Sequence, residues 1–353
     1  MTLRNGLRAR NRVWVAPMTN QQSHADGTLS DDELHWLERR AQGGFGVVET
    51  CAANVSRDGQ GWPGELGAYS DTHLPGLRRL ATALRSARAL GVVQLFHGGV
   101  RSPSSLTGEQ PWSATDAEVP NAERPRAGTA DEIARVIGDF RDAAVRAHAA
   151  GFDGIELHGA HGYLLCQFLS SMNTRTDGWG GSLEQRARLS REVMRAVRGA
   201  VPQGFLVGIR LSPEDFGNAR GMDFDESLQT ARWLCEDGAD FIHLSLWDAK
   251  RNTKKRPDEH PIPLFRKALP GDVSLVVAGA IWTRADAEAA LELGASAVAL
   301  GRGAIANPEW PLRASAAEWE PKRPPLTVAE MRERGLSEAF ASYMRNFKGF
   351  VVD

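Results

Sequence analysis

The chain is 353 residues long, with 42% hydrophobic and 24% charged residues, the proportions of a globular protein with a sizeable core. Its 42 Lys and Arg against 44 Asp and Glu give a formal net charge of -2 with no long basic run, which removes the electrostatic case for nucleic acid or an anionic membrane as partner. Three widely spaced cysteines, Cys51, Cys166 and Cys235, offer no CxxC and argue against a disulfide framework, an iron–sulfur cluster or a thiolate zinc site.

The N-terminal MTLRNGLRARNR is basic but lacks the apolar stretch of a signal peptide. No later window approaches the ~20 apolar residues of a membrane span, so the expected location is cytoplasmic. Within residues 1–11, LRNGLR reads as a hairpin turning at Asn5-Gly6 and placed to plug the bottom of a barrel. Strands are then expected at Arg12–Ala16, Val47–Cys51, Val92–Phe96, Gly154–His158, Leu206–Leu211, Phe241–Leu246, Ser274–Ala278 and Ala297–Gly301. They are continuous apolar runs, as parallel strands covered on both faces should be. Helical patterns lie between them. Three open on capping-box pairs, Ser30 with Glu33, Thr129 with Glu132 and Ser182 with Gln185, and glycines such as Gly151, Gly238 and Gly294 often close the helices.

A strand–helix unit repeated eight times is the (β/α)8 or TIM barrel, an α/β fold in which right-handed crossovers close a parallel sheet on itself. A doubly wound open sheet is the structural alternative, but no GxGxxG follows the first strand. No linker splits the chain, so residues 1–353 read as one barrel domain, with 309–353 as a C-terminal extension ending in an amphipathic Leu336–Phe347 segment. Three connections, His97–Gly128, Gly159–Gly181 and Trp247–Pro263, are too long for simple turns. All follow strands and therefore lie on the C-terminal face, where barrels keep their chemistry.

The residues at the strand ends suggest that chemistry. The last two strands end in Ala278-Gly279-Ala280 and Gly301-Arg302-Gly303, small residues that admit an anion to the backbone, with a guanidinium beside them. Barrels bind phosphate in this place. Gln94 on the third strand can read a donor and an acceptor edge, as a flavin pyrimidine requires, and Arg210 on the fifth can stabilise negative charge at N1 of a reduced flavin. After the fourth strand comes LHGAHGYLLCQFLSSMNTRTDGWGGS, with His158, His161 and Tyr163 close together.

Taken in order, APMT, the VET end of strand two, VQLFHGG, this central motif, the strand-five arginine, AGAIWT and LGRGAIANP resemble the old yellow enzyme family of FMN-dependent ene-reductases, over roughly residues 10 to 310. The resemblance implies non-covalent FMN with NADPH or NADH as hydride donor. Ala16, Pro17 and Met18 would pack against the flavin, Thr19 would lie near C4=O and N5, and Thr50 and Gln94 would meet the pyrimidine edge. Arg210 would face N1, while Gly279, Gly301 and Arg302 would clamp the phosphate. His158 and His161 match the family's pair of donors to a substrate carbonyl oxygen, and Tyr163 its proton donor. The implied substrate is a small alkene activated by a carbonyl or nitro group. Some relatives complete the site with a neighbour's C-terminal residues, which makes Arg345 and the terminal GFVVD candidates for that role in a homo-oligomer.

The motif departs from the family in Leu169-Ser170-Ser171, in a shortened spacer before Asn173, in Trp179, and in an HGGVR loop one residue longer than usual. These changes are expected to reshape the substrate mouth and leave the flavin site intact. Two other functions compete. A metal-dependent barrel hydrolase could use His158 and His161, but two histidines at i and i+3 need a third ligand, and no HExxH or similar partner appears, so no metal is expected. A non-catalytic flavin-binding barrel would lack turnover of a reduced nicotinamide with an activated alkene.

Overall fold

The computed structural model describes residues 1–316 and 318–353. Eight strands form close to their expected bounds: β1 Val13–Val15, β2 Val47–Asn54, β3 Leu90–Phe96, β4 Gly154–Gly159, β5 Leu206–Leu211, β6 Phe241–Ser245, β7 Ser274–Ala278 and β8 Ala297–Leu300. Each pairs in parallel with the next, and β1 pairs with both β8 and β2, which closes the sheet into a barrel. Helices follow the strands, among them α1 Asp31–Gln42, α2 Leu74–Ser86, α3 Ala130–Ala150, α4 Leu183–Ala200 and α5 Phe224–Glu236. The fold is the (β/α)8 barrel.

Local chemistry sets the helix starts. At Thr129 the full capping box forms, and the Glu132 carboxylate accepts from the Thr129 backbone N–H at 2.8 Å. At Ser30 only half of it does. The Ser30 hydroxyl accepts from Glu33 N, but the fully buried Glu33 carboxylate turns inward to Asn20, Ser23 and Cys51. Gly151 ends α3 with φ +92°, a left-handed cap that glycine adopts without steric cost.

The barrel interior is layered. Its floor is apolar, with Trp14, Val47, Val92, Leu206, Phe241 and Ala297 packed together. Gly208 on β5 is required there, because a Cβ would lie 2.3 Å from the Phe241 ring. Below the floor, Thr2 and Arg8 bridge antiparallel around Gly6 at φ +86°, and Leu3 and Ala9 bury themselves against the floor side chains. The middle of the barrel is polar, with Glu49, Gln94, Glu156 and His243 all buried. Above it the strands open into a cavity.

The C-terminal extension returns to that open end. Leu326–Thr327 pairs in parallel with Val351–Val352, and the helix Glu338–Met344 is capped by Ser337. Its Phe340 packs edge-on against Trp36 of α1 at 5.2 Å between ring centroids. This contact lays the helix across the mouth. Arg345, one candidate for reaching a neighbour's site, pairs with Asp353 of its own chain at 2.6 Å.

Candidate active site

The cavity at the C-terminal ends of the strands holds about 460 Å³, a size suited to a flat cofactor or small ligand. Twelve of the thirteen residues named above line it: Ala16, Pro17, Met18, Thr19, Gln94, His158, His161, Tyr163, Arg210, Gly279, Gly301 and Arg302.

Thr50 is the exception, and its place at the cavity is a correction. Its hydroxyl donates to Cys51 O and accepts from Gln94 N, both inside the sheet, and Ala52 faces the cavity instead. A β-bulge explains the change. Glu49 pairs with Val92 and Ala52 with Gln94, so β2 spends three residues where β3 spends two, and strict alternation fails between them.

Polar contacts orient the central histidines. His158 Nδ1 accepts from Ala160 N at 3.3 Å, which leaves Nε2–H to point outward from the strand end. His161 has φ +61°, a left-handed conformation uncommon outside glycine, and its backbone N–H donates to the Ser212 hydroxyl at 3.1 Å. Its Nε2 lies 2.6 Å from the Ser245 hydroxyl. Burial, then His161 and Arg210, hold the His158 imidazole well below its ordinary range; burial and then Arg210 do the same for His161. Both rings are therefore neutral at physiological pH.

Tyr163 stands against an aromatic wall, with Phe96 at 4.5 Å and His158 at 4.9 Å between ring centroids. Burial pushes its phenol above the ordinary tyrosine value, so the proton stays on. Arg210 is buried beside them, donating from one Nη to Pro17 O and from the other to the Ser245 hydroxyl at 3.2 Å, while its Nε has no partner. The hydroxyl of Ser245 thus ties the arginine to His161. Ser245 escaped the sequence reading, although a polar residue at a strand end was signal enough.

Other lining residues come from distant segments. Phe216 and Trp247, on the loops after β5 and β6, meet edge-on at 4.8 Å over the mouth, and Trp247 is 63% exposed. Trp62 and Trp282 add apolar wall, and Tyr343, Met344 and Phe347 of the C-terminal extension close one side.

The departures from the family pattern lie elsewhere, contrary to the expectation that they reshape the mouth. Asn173 Nδ2 donates to Phe168 O and Trp179 O, Arg175 donates to Ala114 O and Gly128 O, and Arg188 stacks over the Trp179 ring at 4.0 Å. Gln167 ties Gly98 O and Gly162 O together in the same way. These side chains satisfy carbonyls of the long loops and do not line the cavity. The extra residue of HGGVR is taken up in a turn through Gly99 at φ +61°.

The hydrolase alternative gains nothing from this geometry. Among the described residues, the group with ligand atoms close enough to share an ion is Glu49, Glu156 and His243, not the pair His158 and His161. FMN fits better. A Cβ on Gly301 would project into the cavity, with only Met18 Sδ near it at 3.4 Å, and a Cβ on Gly279 would come within 2.8 Å of Ala249 N. The wall at Gly279 therefore needs the bare backbone, Gly301 leaves the space beside it open, the exposed Arg302 stands next to it, and the unpartnered Arg210 Nε is a buried donor in the same lining.

Comparison with known proteins agrees. Residues 1–318 match the model of the NADH:flavin oxidoreductase / NADH oxidase family. The chain is 37% identical over 322 residues to a probable NADH-dependent flavin oxidoreductase, YqiG, of Bacillus subtilis, covering 88% of this chain and 86% of that one. It is 34% identical over 323 residues to an NADH:acrylate oxidoreductase of Vibrio harveyi, covering 88% of this chain but spanning only 32% of the relative. Among solved structures, an old yellow enzyme homologue from Zymomonas mobilis superposes with a TM-score of 0.84 at 27% identity, over 96% of this chain and 98% of that one.

Proposed function

The chain belongs to the NADH:flavin oxidoreductase / NADH oxidase family, the FMN-dependent old yellow enzymes, and on that premise we propose that it is an ene-reductase acting on small alkenes conjugated to a carbonyl or nitro group. The observation that carries this reading is the convergence of His158, His161 and Tyr163 on one cavity above Arg210. When bound, FMN takes hydride from a reduced nicotinamide and gives it to an electrophilic carbon. The names of the curated relatives favour NADH as the donor.

The chain's own residues supply the rest. Gly279, Gly301 and Arg302 hold the phosphate without a covalent link, and Gln94 and Arg210 take the polar edge of the ring system. Neutral His158 and His161 donate hydrogen bonds to the substrate oxygen, where negative charge grows as the alkene is reduced. Tyr163, its proton retained by burial, protonates the α-carbon. Phe216 and Trp247 cover the mouth and limit water.

Two measurements test this. The purified protein should be yellow and release FMN, not FAD, on denaturation. In the Tyr163→Phe variant, stopped-flow reduction by NADH should remain near wild type, because it needs no proton from the phenol. Reoxidation by an enone should slow by the ~10²–10⁴ of a lost general acid, and reoxidation by a nitroalkene should slow less. Unchanged enone reoxidation would remove Tyr163 from the reaction.

A further inference from the structure

Directly beneath the cavity, Glu49 of β2, Glu156 of β4 and His243 of β6 meet inside the barrel, sealed from solvent, with ligand atoms within 4.8 Å of one another. Gln94 Nε2 donates to one Glu156 oxygen at 2.7 Å and His243 Nδ1 to the other at 2.7 Å. Glu156 is thus satisfied on both oxygens. Neither oxygen of Glu49 has a donor, and His243 Nδ1, 3.6 Å from one of them, already serves Glu156. The other charged or titratable groups facing this layer are Arg210 from β5 and, above it, His158 and His161. β1, β7 and β8 turn Trp14, Val276 and Ala299 inward, none of them titratable.

Charge accounting then singles out one residue. With both carboxylates ionised and His243 neutral, Arg210 faces two buried negative charges, and the uncompensated one costs several kcal/mol. With a proton on Glu49, the single charge of Glu156 balances that of Arg210, and the acid gains an acceptor in the carboxylate beside it. A cation in the same place would lie close to the Arg210 guanidinium, which opposes it.

We propose that Glu49 is held as the neutral acid, hydrogen-bonded to Glu156, and is a positioning residue that leaves Arg210 opposite a single buried negative charge and available to the cavity. Burial, then Glu156, pushes the Glu49 carboxyl well above the usual carboxylate range, and Arg210 offsets this only in part. Burial also acts upward on Glu156, but His243, Arg210 and Gln94 together outweigh it and keep that group ionised. The inference rests on the flavin reading for the identity of what Arg210 serves. Ionising Glu49 would place a second negative charge below the cofactor and disfavour its reduced, anionic form.

Infrared spectroscopy of the protein without FMN tests the protonation itself. A carboxylic-acid carbonyl band, sensitive to D2O, should persist at neutral pH in the wild type and lose one component in Glu49→Gln, the remainder belonging to Glu33 and Glu65, whose buried carboxyls are also pushed upward. If that variant fails to fold, the double variant Glu33→Gln/Glu65→Gln decides, since it should keep a band that survives at pH values where exposed carboxylates are ionised. No such component overturns the proposal whether or not FMN binds; its presence in a protein that cannot retain FMN leaves the proposal standing and defeats the flavin reading. In the FMN-loaded protein, the ratio of reduced to oxidised flavin at fixed potential should match wild type in Glu49→Gln. In Glu156→Gln the single negative charge passes to Glu49, so the rise of about tenfold, ~30 mV for a two-electron couple, is expected in the double variant Glu49→Gln/Glu156→Gln. An equal rise in Glu49→Gln would show that a charge had been lost there, and a stoichiometric divalent ion lost with Glu49 would show a metal in place of the proton. Either result overturns the proposal.

Discussion

His158 and His161 combine burial with a charged neighbour, and the combination fixes what they can do. Kept neutral, each offers one N–H, so in the proposed role their grip on a substrate oxygen would be hydrogen bonding and not ion pairing. Replacing either by Ala should weaken binding of a phenol, whose phenolate oxygen resembles the charged oxygen of the reacting alkene, by ~2–4 kcal/mol in a flavin absorbance titration. The depressed imidazole values also link stability to pH. Their contribution is complete above the unfolded value of ~6.5 and is lost as pH falls through the depressed native one. Chemical denaturation between pH 8 and pH 5 should therefore show a shallower acid loss in His158→Ala than in wild type. Glu49 acts in the opposite sense, giving a contribution complete below its unfolded value of ~4.3 and lost as pH rises through the raised native one. At this scale the sequence was readable where chemistry is contiguous. His158, His161 and Tyr163 sit within six positions, whereas Ser245 and the pairing of Glu49 with Glu156 depend on strands far apart in the chain and carry no local spacing.

The eight strands were legible because a parallel strand buried on both faces must be apolar throughout, and that pattern stands out against amphipathic helices. The loops were not. Phe216 and Trp247 sit on separate connections and meet only because β5 and β6 are neighbours in the closed sheet. A strand-level prediction follows from Gly208, whose hydrogen gives room for the Phe241 ring and, with it, for the floor of the barrel. Gly208→Ala should destabilise by ~1–3 kcal/mol through overpacking, read as a lower thermal midpoint. Adding Phe241→Leu should recover part of that loss, since the clash is with the aromatic ring. If the double variant were less stable than both single ones, the cost at Gly208 would lie in its backbone and not in the floor.

For the molecule as a whole, the two ends of the barrel have opposite assignments: the N-terminal hairpin seals the floor, and the C-terminal helix lines the mouth. Leu3 is 3% exposed against the floor side chains although it belongs to a surface hairpin. Leu3→Ala should cost ~2–4 kcal/mol in urea unfolding while leaving FMN affinity within error of wild type. Loss of FMN affinity in that variant would mean that floor and cavity are coupled through the polar layer between them. The roles of floor and mouth differ in how they could be read from sequence. The turn at Asn5-Gly6 announces the hairpin, but only the closed barrel brings Tyr343 and Phe347 to the cavity, some three hundred residues from Met18.

The bulge in β2 has a further consequence. Below it Glu49 faces inward, above it Ala52 does, and the count between them is odd, so the strand holds one residue more than its partner requires. Removing Thr50 outright would restore one-to-one pairing and keep Glu49 and Ala52 facing inward, whereas inserting a residue there would leave β2 two residues longer than β3 over the same interval, more than a single bulge absorbs. Length, more than residue identity, is therefore the variable that this stretch can least tolerate in one direction and most easily accept in the other. Relatives that differ here by a gap of one can present the same interior face to the flavin while appearing misaligned position by position.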